Sequence, residues 1–196
     1  DEMKKRLTAF LLAAVVSAGT CSMQAVTGPA PGFGALETVT VQAAAQPSAS
    51  KLAAAIKKAY GDNYWPNYQL DKDEIKSKYG VASSLYASAY AEVPMISAQV
   101  DQLVIFKAKN KTAKKKILSA VKEYQKNLKA DTMQYPMNLL KIQGSKVYTN
   151  GNYVCFFMLG GSADKSVEEN GTEEEIIKAY QKLNQKAVNT VKKKLK

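Results

Sequence analysis

Lys146-Val147-Tyr148-Thr149-Asn150-Gly151-Asn152-Tyr153-Val154-Cys155-Phe156-Phe157-Met158-Leu159 decides the fold. Two runs of strand-forming residues meet at Asn150-Gly151. A two-residue type I′ turn needs positive φ at both central positions, and Asn followed by Gly supplies it. The run after the turn is apolar on both alternating faces, so it reads as a central strand of the sheet. Gly160-Gly161 ends it.

Upstream, Gln102 to Lys109 (QLVIFKAK) is rich in β-formers and reads as a strand. Tyr90 to Ala98 reads as extended and pairs with it through a tight turn near Val100-Asp101. Thr112 then caps a helix to about Ala130, with Ile117, Val121, Tyr124 and Leu128 as its apolar stripe. Downstream, Thr172-Glu173-Glu174-Glu175 has the spacing of a capping box. It opens a last helix whose stripe is Ile176, Tyr180, Leu183, Ala187 and Val191, with acids first and lysines last, as the helix dipole favours. Toward the N-terminus, Ser50 caps a helix from Lys51 to Tyr60 that Gly61 stops. Asn63 to Tyr68 is an aromatic loop. Asp71 and Glu74 form a second capping box, on a helix to about Tyr79 that ends at Gly80, and Val81 to Ala87 adds a further turn. The expected architecture is α+β, in the order ααββαββα. It is a single domain over residues 51–196, with an antiparallel sheet of about four strands and helices packed on it.

The residues before this domain read as an address. Met3 is read as the start, Lys4-Lys5-Arg6 as a positive n-region, and Leu7 to Ala18 (LTAFLLAAVVSA) as an apolar run. A spanning helix needs about 20 apolar residues, so the pattern is that of a secretory signal. Cys21 stands where a lipoprotein signal places its acylated cysteine, although Ala18 and Thr20 depart from the usual box. The competing reading is cleavage near Ala43 to Ala45. Residues 22–50, with Gly28-Pro29-Ala30-Pro31-Gly32, read as a flexible linker.

Composition excludes several chemistries. The chain of 196 residues carries a net charge of +11 and no histidine. Its one arginine is Arg6, so the body is basic through lysine alone. Without His there is no Ser-His-Asp or Cys-His nucleophile pair and no His-containing zinc site, and two cysteines cannot make a Cys₄ site. No cofactor and no metal are expected, and no Gly-rich phosphate loop is present. Nucleic acid is not an expected partner, because arginine readout of guanine is missing and the leader points out of the cell. Lysines can attract anionic polymers as hydrated point charges, or they form a solvated face.

The candidate ligand contacts are Tyr64, Trp65 and Tyr68. Together they would make a platform for a sugar ring, or else tuck over the helix–sheet core. Cys155 reads as a buried small hydrophobe. Glu168-Glu169 and Glu173 to Glu175 suit a loop and a helix cap better than a pair of catalytic carboxylates. No catalytic residue is assigned.

One family resemblance stands on residues already quoted. Val93-Pro94-Met95, then Val100-Asp101-Gln102-Leu103-Val104-Ile105-Phe106-Lys107-Ala108-Lys109, then Tyr135-Pro136 and the hairpin of Lys146-Val147 and Asn150-Gly151-Asn152-Tyr153-Val154, resemble the domain of unknown function 4358 family. The likeness spans roughly residues 51–160 and leaves out the final helix. Gln102 stands where the family often has an acid. The resemblance implies small extracytoplasmic proteins of Gram-positive bacteria, many of them lipoproteins, and implies no activity. The expected function is a non-enzymatic binding or scaffold module of the cell envelope, anchored or secreted. Its expected partner is an anionic cell-wall polymer, a membrane surface or an envelope protein. The alternative is a carbohydrate-binding module using Trp65, and an enzyme without histidine chemistry ranks third.

Overall fold

The computed structural model describes residues 46–196. The signal segment, Cys21 and the linker up to residue 45 lie outside the described residues. The elements run α1 (Ala49–Tyr60), β1 (Tyr68–Gln69), α2 (Lys72–Tyr79), β2 (Tyr86–Val93), β3 (Gln102–Ala108), α3 (Lys111–Ala130), α4 (Pro136–Gln143), β4 (Lys146–Asn150), β5 (Tyr153–Met158), α5 (Lys165–Asn170) and α6 (Glu173–Lys194). Every strand pairing is antiparallel, and the sheet order is β1-β2-β3-β5-β4.

The hairpin of β4 and β5 closes at Asn150 opposite Tyr153, with Gly151 at φ 51°, as the Asn-Gly pair demands. β5 is buried at all six positions because helices cover both faces of the sheet. On one face Val104, Phe106, Val154, Phe156 and Met158 pack against Ile75 and Tyr79 of α2 and Ile117 and Val121 of α3. On the other, Leu103, Ile105, Cys155 and Phe157 pack against Leu52 and Ile56 of α1 and Ala187, Val188 and Val191 of α6. A bulge between Tyr86 and Ser88 reverses the facing of β2. Tyr86 therefore belongs to the α2–α3 layer and Tyr90 to the α1–α6 layer. Gln102, opening β3, accepts hydrogen bonds from the Tyr79 and Tyr124 hydroxyls, each at 2.9 Å.

Both capping boxes form, at Asp71 with Glu74 and at Thr172 with Glu175. Other details differ from the sequence expectation. The sheet has five strands, because Tyr68–Gln69 adds an edge strand to Glu92–Val93. β2 starts at Tyr86 and stops at Val93, since Pro94 has no N–H to continue a ladder. The link to β3 is therefore the segment 94–101 instead of a tight turn. Ser48 caps α1 and Asn110 caps α3, each side chain reaching the first turn two residues before the serine and threonine expected to do so. α4 and α5 are additional short helices.

Candidate functional site

The most unusual electrostatic feature is a lysine–carboxylate pair in the protein interior. Asp101 precedes β3 and Lys141 lies on α4. Their side chains are 0% and 5% exposed. The Lys141 ammonium donates to the Asp101 carboxylate and to the Gly161 carbonyl. The Gly161 N–H donates back to Asp101 Oδ1 at 3.0 Å. Burial pulls Lys141 below the ordinary lysine range, opposed by Asp101. Burial also pushes the Asp101 carboxyl up, opposed by Lys141. Each charge is tolerated because the other is there.

Gly161 is required at this spot. Its φ is +62°, and a Cβ there would fall 2.6 Å from the Trp65 indole. Lys141 Nζ sits 5.3 Å from the centroid of the Trp65 ring and 5.6 Å from that of Tyr180 on α6, within cation–π range. Tyr180 donates its hydroxyl to Glu168, which also accepts the Ala163 N–H at 2.9 Å. Burial, then the Glu168 carboxylate, raise the Tyr180 pKa. A cleft of about 460 Å³ opens here, with Trp65, Gln99, Met137, Asn138, Ser162 and Ile176 among its lining residues.

Segments 94–101 and 131–140 both contribute to the wall of the cleft, and we call their exposed apolar side chains the lip; of these, Met137 lines the cleft itself. Asn138 Nδ2 donates to the Ala98 carbonyl at 2.9 Å and so ties the 94–101 segment to α4. Six of the seven exposed large hydrophobic residues among the described residues lie within 94–101 and 131–140: Met95, Ile96, Met133, Tyr135, Met137 and Leu139, the seventh being Tyr68. Met133 is 90% exposed and Met137 74%. Residues 94–101 and 131–140 contain no lysine in a chain of net charge +11; their only charged groups are Asp101 and Asp131.

The three aromatic candidates part company. Trp65 walls the cleft. Tyr64 donates to Glu92, which also accepts from Tyr90 at 2.9 Å and from Lys57 at 2.9 Å. Tyr68 is 41% exposed and donates to Glu74 at 2.8 Å. Cys155 is fully buried on β5, and burial alone raises its thiol pKa. Sequence reasoning missed Asp101, Lys141 and the lip. The available signal was the run Met133, Tyr135, Met137, Leu139, which fits no helical stripe across Pro136. Among the described residues no helix is long and apolar enough to cross a membrane, and no three His, Cys, Asp or Glu side chains group so as to hold a metal ion.

One family model matches, that of a domain of unknown function, DUF4358, over residues 59–159, just over half of the chain. The match includes Trp65, Asp101 and Lys141 and excludes α5 and α6. No curated protein and no solved structure matches the chain.

Proposed function

The chain belongs to the DUF4358 family, and from that premise we propose a non-enzymatic, extracytoplasmic binding module of the cell envelope that docks a protein partner through the apolar lip. The observation that carries this reading is that six exposed hydrophobic residues fall on two tied segments, each of which also contributes residues to one cleft. Methionine suits such a surface because its flexible thioether adapts to a partner's shape. The lack of lysine there argues against an anionic polymer or membrane as the occupant, since either would be drawn to positive charge. The fitting partner is a neutral or basic protein segment that seats an apolar side chain between Met137 and Trp65. The extracytoplasmic setting rests on Lys4-Lys5-Arg6, the apolar run after them and Cys21. Ser162 also lines the cleft, but the hydrogen bonds of Lys141 go to Asp101 and Gly161, which holds the ammonium as a cation instead of freeing it as a base.

A photo-crosslinking side chain placed at Met133 of the full chain in intact cells tests the reading. A discrete adduct is expected, lost when Met137→Glu is added, with none from the same group at exposed Lys115. Equal adducts from both positions, or an adduct indifferent to Met137→Glu, would overturn it. Binding to purified cell wall that survives high salt and disappears in Trp65→Ala would put a sugar in the cleft instead.

A further inference from the structure

A second groove shares no lining residue with the cleft of Asp101 and Lys141. It has a volume of about 790 Å³ and runs between the end of α1, α5 and α6. That volume lies within the range of pockets that hold small organic ligands. Its floor is apolar, made by Ala59, Val167, Ala179 and Leu183. Leu183 is fixed in place, because its carbonyl accepts the Tyr60 hydroxyl at 2.6 Å.

The rim is cationic. Lys182, Lys186 and Lys193 line the groove. Their spacings of four and seven residues set them along one face of α6. Among the described residues none of the three makes a salt bridge; the lysines that do are Lys57, Lys141, Lys165 and Lys178. The only acidic residue in the lining is Asp164. Its carboxylate caps α5, accepting from the Ser166 N–H at 2.9 Å and the Ser166 hydroxyl at 2.5 Å. Compensation of the helix dipole accounts for lysines in the last turn of α6 but not for Lys182 and Lys186, because the effect fades beyond one turn. Lys186 reaches toward the end of α1, with Nζ 5.2 Å from the Tyr60 ring centroid.

We infer that this groove binds a single-chain anionic amphiphile, with an acyl chain along the Ala59–Val167–Ala179–Leu183 floor and a carboxylate or phosphate head against Lys182, Lys186 and Lys193. A bare polyanion would leave the apolar floor wet. A neutral lipid would leave three cations without a counter-charge. The two halves of the groove therefore select the two halves of one ligand. This inference does not rest on the protein-docking reading of the lip, which lies on other residues.

The experiment is a calorimetric titration of the full chain with monomeric dodecyl phosphate below its micelle concentration, with amide chemical-shift mapping. Saturable binding is expected, with shifts at Val167, Ala179 and Leu183. The Lys182→Gln/Lys186→Gln variant, altered only at exposed side chains, should melt as the parent does and bind about tenfold more weakly, the loss of roughly one charge-assisted contact. Dodecyl maltoside and inorganic phosphate should each bind far more weakly than dodecyl phosphate. Equal binding of the maltoside, equal binding of phosphate alone, or shifts confined to other elements would each overturn the inference. So would attachment to anionic vesicles without any binding of the monomer, which would signify surface attraction to a bilayer. Loss of the Met133 crosslink in this same variant is not expected.

Discussion

Two lysine–carboxylate pairs flank the connection between β2 and β3, and they are built for opposite surroundings. Asp101 and Lys141 are dry, at 0% and 5% exposure. Glu92 is nearly as buried, at 7%, but its partner Lys57 is 40% exposed, and the Tyr64 and Tyr90 hydroxyls supply the rest of its hydrogen bonds. In the dry pair each charge has lost its water and depends chiefly on the other, with Glu168 a lesser contributor at Lys141. In the half-wet pair the lysine can return to solvent, and the carboxylate keeps two neutral donors. Removing one partner therefore has different consequences in the two places, although both contacts join a lysine to an acid.

The largest effect is expected at the dry pair. Asp101→Ala leaves the Lys141 ammonium buried against Trp65 and Tyr180 with only the Gly161 carbonyl. Stability measured by urea unfolding should fall by about 3–5 kcal/mol, the range for an uncompensated buried charge. Adding Lys141→Met removes that charge and keeps an apolar stem of similar length, so the double variant should recover most of the loss. A single variant that lost under about 1 kcal/mol would mean that Lys141 escapes to water through the cleft, and the two pairs would then be alike.

Glu92 comes next. Glu92→Ala leaves the Tyr64 and Tyr90 hydroxyls without their shared acceptor. The expected cost is about 1–3 kcal/mol, that of buried polar groups left unpaired. Lys57→Ala should cost about 1 kcal/mol or less, because only a half-exposed ion pair is lost. Unfolding curves of both variants at low and high salt sharpen the contrast. The Lys57 effect should shrink with salt, and the Glu92 effect should stay, since it is carried by hydroxyl desolvation.

Elements with a strong local grammar were legible in the sequence. Asn150-Gly151 dictates its own turn, and the Asp71–Glu74 and Thr172–Glu175 boxes satisfy helix N–H groups from within four residues. The doubly apolar β5 announced a central strand, and it lies between β3 and β4. α4 announced nothing, because it has eight residues, starts at Pro136 and follows Tyr135, which makes no side-chain cap. Lys141 was hidden for a different reason. It is one basic residue among 28, and the contact that sets it apart is with Asp101, 40 positions away. Aromatic identity marked Trp65, Tyr64 and Tyr68 together, but the backbone leading into β1 sends them to a cleft, a buried glutamate and a half-buried one. Local chemistry thus specifies turns and caps, whereas the candidate site is assembled from long-range contacts that leave no periodic trace.

The smallest effect expected concerns alkaline pH and isolates the half-wet pair. Burial by itself would lower the Lys57 pKa, but the hydrogen bonds to Glu92 and then Tyr90 more than offset it and hold the group above its ordinary value of 10.5. A lysine with a raised pKa in the folded state binds its proton more tightly there than in the unfolded chain. Its stabilisation is therefore complete below 10.5 and disappears as the pH climbs through the folded value. The stability difference between the protein and Lys57→Met should be flat from pH 7 to about 10 and close toward zero above that. Tyr64 and Tyr90, whose pKa values are raised first by burial and then by Glu92, lose stabilisation in the same direction; Tyr64 remains in both proteins and largely cancels in the difference, whereas Tyr90, whose pKa Lys57 itself lowers, loses more in the variant. Urea unfolding at a series of pH values gives that difference directly. A gap that stayed constant past pH 11 would mean that Lys57 contributes through its packed stem and not through its charge, and the half-wet pair would no longer be a pair in any energetic sense.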